Sequence, residues 1–256
     1  MKPFLAALFL ALASAPALAA LSDEIQVYDE SINKPGEWGL EVHVNRTPKG
    51  RSQPDYPGEI TPNRGLRVTP ELSYGLTPTV DVGLYTPLLF EALNQSYYAG
   101  PKFRAKWLPL QPGEAGGFFA GINWELAMVR KRFEAARNGM EFRPILGYRD
   151  SGWAAIVNPV LSYDITQGYR EGGMNFSPAV KVSKTLAEGI AGGFEYYADL
   201  GKLAHFSPRA EQAHTLYLVT DVDRGPVGIN FGIGRGLNAA TDKWTVKAIL
   251  DIPFGH

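Results

Sequence analysis

Apolar and polar residues alternate along most of the sequence after Glu37, which is the spacing of an extended chain whose two faces meet different surroundings. In Phe118 to Met128, the residues Phe118, Ala120, Ile122, Trp124, Leu126 and Met128 oppose Gly121, Asn123 and Glu125. In the closing stretch, Trp244, Val246, Ala248, Leu250, Ile252 and Phe254 oppose Thr245, Lys247, Ile249 and Asp251. The same period runs through Trp38 to Val44, Leu66 to Leu76, Val80 to Thr86, Tyr97 to Leu108 and Met140 to Tyr148. It continues in Trp153 to Ile165, Phe176 to Leu186, Ile190 to Leu200, Leu216 to Val222 and Val227 to Ile233, and the closing stretch itself spans Thr241 to Phe254. Helical periodicity is scarce, so the pattern predicts an all-β chain of about twelve strands, an even number as in single-chain outer-membrane barrels.

The connections carry a second regularity, because short and long ones alternate. Leu76 to Thr79, Asp150 to Gly152, Ala187 to Gly189 and Asp223 to Pro226 are tight turns rich in Gly, Pro, Ser and Asp. Between them lie Arg46 to Asn63, Leu89 to Ser96, Arg130 to Asn138, Thr166 to Asn175, Gly201 to Ala213 and Leu237 to Ala240. Short turns at one end and long loops at the other are the layout of a transmembrane antiparallel up-and-down barrel with its turns in the periplasm. Pro109 to Gly117 is longer than that rule wants. A soluble sandwich gives no reason for the alternation, and its outward faces are polar rather than Phe, Trp, Leu and Val. Trp38, Tyr74, Trp107, Tyr148, Trp153, Phe176, Trp244 and Phe254, near strand ends, suit aromatic girdles at two membrane interfaces.

Composition agrees with an exported barrel. Lys2, the apolar run Phe4 to Ala13 and the Ala17-x-Ala19 site read as a secretory signal, too short to span a bilayer. The expected organisation is a signal peptide at 1–19, an N-terminal periplasmic segment at 20–36 and an outer-membrane barrel at 37–256. Residues 21–34 have two places open to them, the lumen and the periplasm. Cysteine is absent, which removes disulfides and thiol chemistry, and the net charge of -1 gives no attraction for nucleic acid. A mean hydropathy of -0.13 suits a barrel whose polar lumen residues dilute its lipid-facing ones.

With the apolar face on lipid, the other face supplies the expected lumen lining. It comprises Glu41, His43, Arg67, Glu71, Asp81, Lys102, Arg104, Lys106, Glu125, Glu141, Arg143, Asp164, Lys181, Glu195, Asp199, Asp221, Lys247 and Asp251. Lys102, Arg104 and Lys106, on alternate positions of one strand, form a basic ladder facing acids across the barrel. Such a lining serves a channel for a small solute, or cross-links a closed structural barrel. His43 beside Glu41 reads as a lumen hydrogen-bonding residue, and no metal or cofactor is expected. His214 falls on the lipid face near the outer rim, with Ser207 nearby in a loop. A rim lipid hydrolase is the least favoured reading, so no catalytic residue is assigned and the protein is expected not to be an enzyme. Gly232, Gly234 and Gly236 in "FGIGRGLN" precede no helix and read as strand positions where the wall packs closely.

The stretches "RVTPELSYGLTPTVDVGLYTPL", "GPKFRAKWLP", "FRPILGYRDSGW" and "DKWTVKAILDIPF" resemble proteobacterial outer-membrane proteins of the MetA-pathway of phenol degradation family, over most of the chain after the signal. The resemblance implies a barrel that is a channel for hydrophobic or aromatic compounds, and it transfers no binding residue. Outer-membrane lipid is the expected surrounding of the barrel in a Gram-negative cell. The last strand resembles the aromatic-terminated strand read by the barrel-assembly machinery, with Gly255 and His256 beyond Phe254.

Overall fold

The computed structural model describes residues 24–90 and 95–254. The proposed signal peptide and its cleavage site, and Gly255 and His256, lie outside the described residues. Twelve antiparallel strands close into a barrel. They are β1 (Trp38–Lys49), β2 (Leu66–Thr77), β3 (Val80–Tyr85), β4 (Lys102–Leu110), β5 (Gly117–Met128), β6 (Asn138–Arg149), β7 (Trp153–Asp164), β8 (Asn175–Ala187), β9 (Ile190–Asp199), β10 (Ala213–Val222), β11 (Gly228–Gly236) and β12 (Trp244–Phe254).

Each strand pairs with its sequence neighbours, and β12 returns to β1 with Trp38 opposite Phe254, His43 opposite Ile249 and Asn45 opposite Lys247. This last ladder removes both sheet edges, as a strand wall in lipid requires. The expected strands are present, several of them longer: β1 runs on to Lys49 and β10 starts at Ala213. The segment Tyr97 to Leu108, expected as one strand, is divided. Ser96–Tyr98 forms a small hairpin with Leu88–Phe90 above β2, and β4 starts anew at Lys102. Gly100, at φ 124°, lies so close to the Met128 carbonyl that a side chain there would overlap it, which explains the break.

Pro109 to Gly117 shrinks as well, because β4 reaches Leu110 and a bridge from Gly113 to Gly116 tightens what remains. In the turn after β6, the Asp150 carboxylate accepts the backbone N–H groups of Gly152 and Trp153 at 2.7 and 2.8 Å, which hold its pKa below the ordinary value.

The outer wall is apolar and exposed, with Phe118 at 70% exposure and Leu218 at 63%. Large apolar side chains standing outward on strand after strand are what hydrocarbon surroundings select. Several aromatic residues pair near the two ends. At the short-turn end, Trp38 meets Tyr74 with ring centroids 4.8 Å apart, and Phe118 meets Tyr148 at 5.0 Å. At the long-loop end, Phe176 stacks on Phe206 and the Arg235 guanidinium lies 4.8 Å above the Trp244 ring.

Candidate functional site

The expected lining residues surround three cavities inside the barrel. One of about 320 Å³ at the short-turn end meets Glu41, Glu71, Asp81, Arg104, Lys106, Lys181, Glu195, Asp221 and Asp251. One of about 250 Å³ at the long-loop end meets Arg67, Glu141, Arg143 and Asp199. A third, of about 160 Å³, meets Lys102, Glu125, Glu141, Arg143 and Asp164. His43 and Lys247 are fully buried on the same inner face.

Between the cavities at the two ends runs a segment that sequence periodicity did not place. Residues 24–33, for which lumen and periplasm were both open, pack against inward-facing side chains of the barrel. Among the described residues its backbone has no ladder partner, and lumen side chains hold it instead. Lys247 Nζ donates to the Ile25 carbonyl at 3.0 Å, and an Arg143 guanidinium N–H donates to the Gln26 carbonyl at 3.2 Å. Asn158 clamps Tyr28 from both sides of its peptide: the Tyr28 N–H donates to Oδ1 at 2.7 Å, and Nδ2 donates to the Tyr28 carbonyl at 3.0 Å. Lys106 Nζ donates to the Ser31 carbonyl, and Asn33 Nδ2 donates to Ser73 Oγ at 2.7 Å. The chain then leaves through Gly36, whose N–H donates to the Gly75 carbonyl at 2.9 Å, and enters β1.

The apolar side chains of this segment explain a second feature, an apolar patch within the polar lumen. Val27 and Tyr28 pack with Leu108, Phe119, Ile145, Ile156 and Ala179, and Ile25 packs with Tyr217 and Val219. The inward aromatic rings need room on the neighbouring strands. A Cβ on Gly147 would overlap the Phe119 ring, and one on Gly234 would overlap Tyr217. Gly234 therefore serves an inward ring, a sharper role than the close wall packing read from its sequence. The alternation of Ile25 and Val27 with Glu24 and Gln26 was the available signal for a buried extended segment.

The charges pair within the lumen. Lys247 Nζ is 2.5 Å from Glu195 Oε2 and is buried among Tyr197, Tyr217 and the Ile25 carbonyl. Lys181 bridges Asp221 at 2.9 Å and Glu195 at 3.7 Å. The basic ladder is split between partners: Lys102 meets Glu24 at 3.2 Å and Glu125 at 3.4 Å, Arg104 binds Glu71 and Asp81, and Lys106 binds the lumen segment. Arg143 binds Glu141 at 2.7 Å. The sum of charge is nevertheless uneven. The short-turn cavity is lined by the eight carboxylates of Asp29, Glu41, Glu71, Asp81, Glu195, Asp221, Asp223 and Asp251, against the three basic groups of Arg104, Lys106 and Lys181.

The rim histidine is placed differently from a hydrolase base. His214 Nδ1 is 2.7 Å from the Tyr196 hydroxyl, and the two rings stack. The nitrogen that an acid would orient is thus engaged by a phenol.

No known family profile and no curated protein sequence matches the chain. Solved structures do resemble it in fold. The COG4313 outer membrane channel from Pseudomonas putida F1 superposes with a TM-score of 0.62 at 9% identity, over 90% of this chain and 100% of that one. The KdgM porin superposes with a TM-score of 0.53 at 7% identity, over 85% of this chain and 99% of that one. At such identities the likeness establishes architecture, and this chain has the fold of outer-membrane β-barrel channels and porins.

Proposed function

We propose that the protein is an outer-membrane channel or facilitator for small solutes, exported through its signal peptide and assembled through its last strand, with the lumen segment 24–33 as its constriction. The observation that carries this reading is the lumen itself: charged cavities lie at both ends, and the segment between them is anchored by side-chain hydrogen bonds rather than by strand pairing. A segment held in this way can yield without opening the barrel wall. The fold shared with channels and porins supports the reading.

The excess of carboxylates at the short-turn end favours solutes that carry positive charge. The long-loop cavity adds an apolar side formed by Ile60, Phe133, Val160, Tyr197 and Tyr217, which suits a hydrophobic or aromatic body. Together they favour small organic cations or zwitterions with an apolar portion, in keeping with the resemblance to a family linked to aromatic compounds. The lumen ion pairs also fit a closed structural barrel, and electrical recording separates the two. In planar bilayers under a salt gradient, the intact protein is expected to give discrete, cation-selective steps, and a variant lacking 24–33 larger ones. Silence from both proteins would establish the closed barrel, and an anion-selective reversal potential would overturn the solute class.

A further inference from the structure

On β1 and β2, Glu41 and Glu71 are direct cross-strand partners, and His43 stands two residues along on the same inward face. Two carboxylates opposite each other repel, so the pair calls for a positive neighbour. Arg104 supplies part of it through Glu71. His43 is the other feature that points to a ligand. Its side chain is completely buried, and its Nδ1 has no hydrogen-bond partner. Its Nε2 already faces the cluster, 2.8 Å from Glu41 Oε1 as an ion-pair contact.

From this geometry we infer a binding site for one divalent first-row transition ion, with His43, Glu41 and Glu71 as its protein ligands. One donor atom from each residue lies within 4.8 Å of the others. A tetrahedral ion with N and O ligands at roughly 2.0–2.2 Å spaces those donors about 3.4 Å apart, so modest side-chain rotations bring the three together. One imidazole and two carboxylates select zinc, iron, manganese or copper over the alkaline-earth ions, since the nitrogen favours a softer cation. Glu41 and Glu71 also line the acidic short-turn cavity, which gives the ion a route in and leaves room for water on its remaining positions. The Gln26 side chain, whose Nε2 donates to Glu41 Oε2 at 3.3 Å, would link the ion to the lumen segment. This site does not depend on transport.

The test is titration of the refolded full chain in detergent with ZnCl2 by calorimetry, and with CoCl2 by visible absorption. The expected result is one saturable ion per chain and a cobalt spectrum bearing a nitrogen ligand. His43→Gln and, separately, Glu41→Gln are each expected to weaken binding by more than about 10-fold, since even the outer partners of metal ligands are worth that much. His214→Gln is expected to bind like the parent. Heat-modifiable migration reports the folding of each variant, and Glu41→Gln decides the matter where His43→Gln does not fold. Absence of one-to-one binding by the parent overturns the site, as does undiminished affinity in a folded His43→Gln or Glu41→Gln protein.

Discussion

Replacing Asn158 by leucine tests the seating of the lumen segment at its most specific contact. The Asn158 side chain is completely buried and makes two hydrogen bonds to the Tyr28 peptide, at 2.7 and 3.0 Å. Leucine has nearly the same shape and can make neither. Each neutral hydrogen bond contributes about 1 kcal/mol net, so the seated position loses about 2 kcal/mol relative to a displaced one. The loss is larger where the Tyr28 N–H and carbonyl stay buried without partners. A shift of 2 kcal/mol changes the ratio of displaced to seated segment about 30-fold. Barrel closure through β1 and β12 is untouched, since Asn158 lies on β7. The assay is single-channel recording of the intact and Asn158→Leu proteins, with heat-modifiable migration to confirm that both are folded. The expected outcome is a marked rise in open probability, approaching the behaviour of a variant lacking 24–33. A folded Asn158→Leu protein with the parent's open probability would refute the claim that these bonds seat the segment.

Three further substitutions test the wall and its lining. Lys247→Met leaves Glu195 buried with Lys181 at 3.7 Å and the Tyr197 hydroxyl at 2.6 Å, so the loss is expected near 3 kcal/mol, the low end for breaking a buried pair. Adding Glu195→Gln is expected to restore much of it; urea unfolding in liposomes followed by tryptophan fluorescence measures both, and simple additivity of the two losses would contradict the pairing. Leu218→Arg places a charge at the middle of β10 on the outer face, where lipid makes it cost about 2–4 kcal/mol. A change within about 0.5 kcal/mol in the same unfolding assay, the range of ordinary water-exposed sites, would show that this face does not meet hydrocarbon.

Periodicity placed every barrel strand and its faces, apart from the break between Tyr98 and Lys102. Which side of a strand a residue occupies is a local property, set by the two-residue period, so the outward stripe of β12 and the inward Lys247 and Asp251 followed from parity alone. The alternation of connection lengths likewise fixed which strand ends share a side. What fills the interior depends on contacts between residues far apart in the chain. Residues 24–33 form no ladder with the described residues, and their position depends on side chains as distant in sequence as Asn158 and Lys247, which no local period encodes. The apolar patch of Phe119, Ile145 and Tyr217 escaped for the same reason, because an inward apolar residue is stable only against the segment that covers it. The pairing of Glu41 with Glu71 and the burial of His43 beside them required the register of β1 on β2, which hydrogen bonds between strands set and residue order does not.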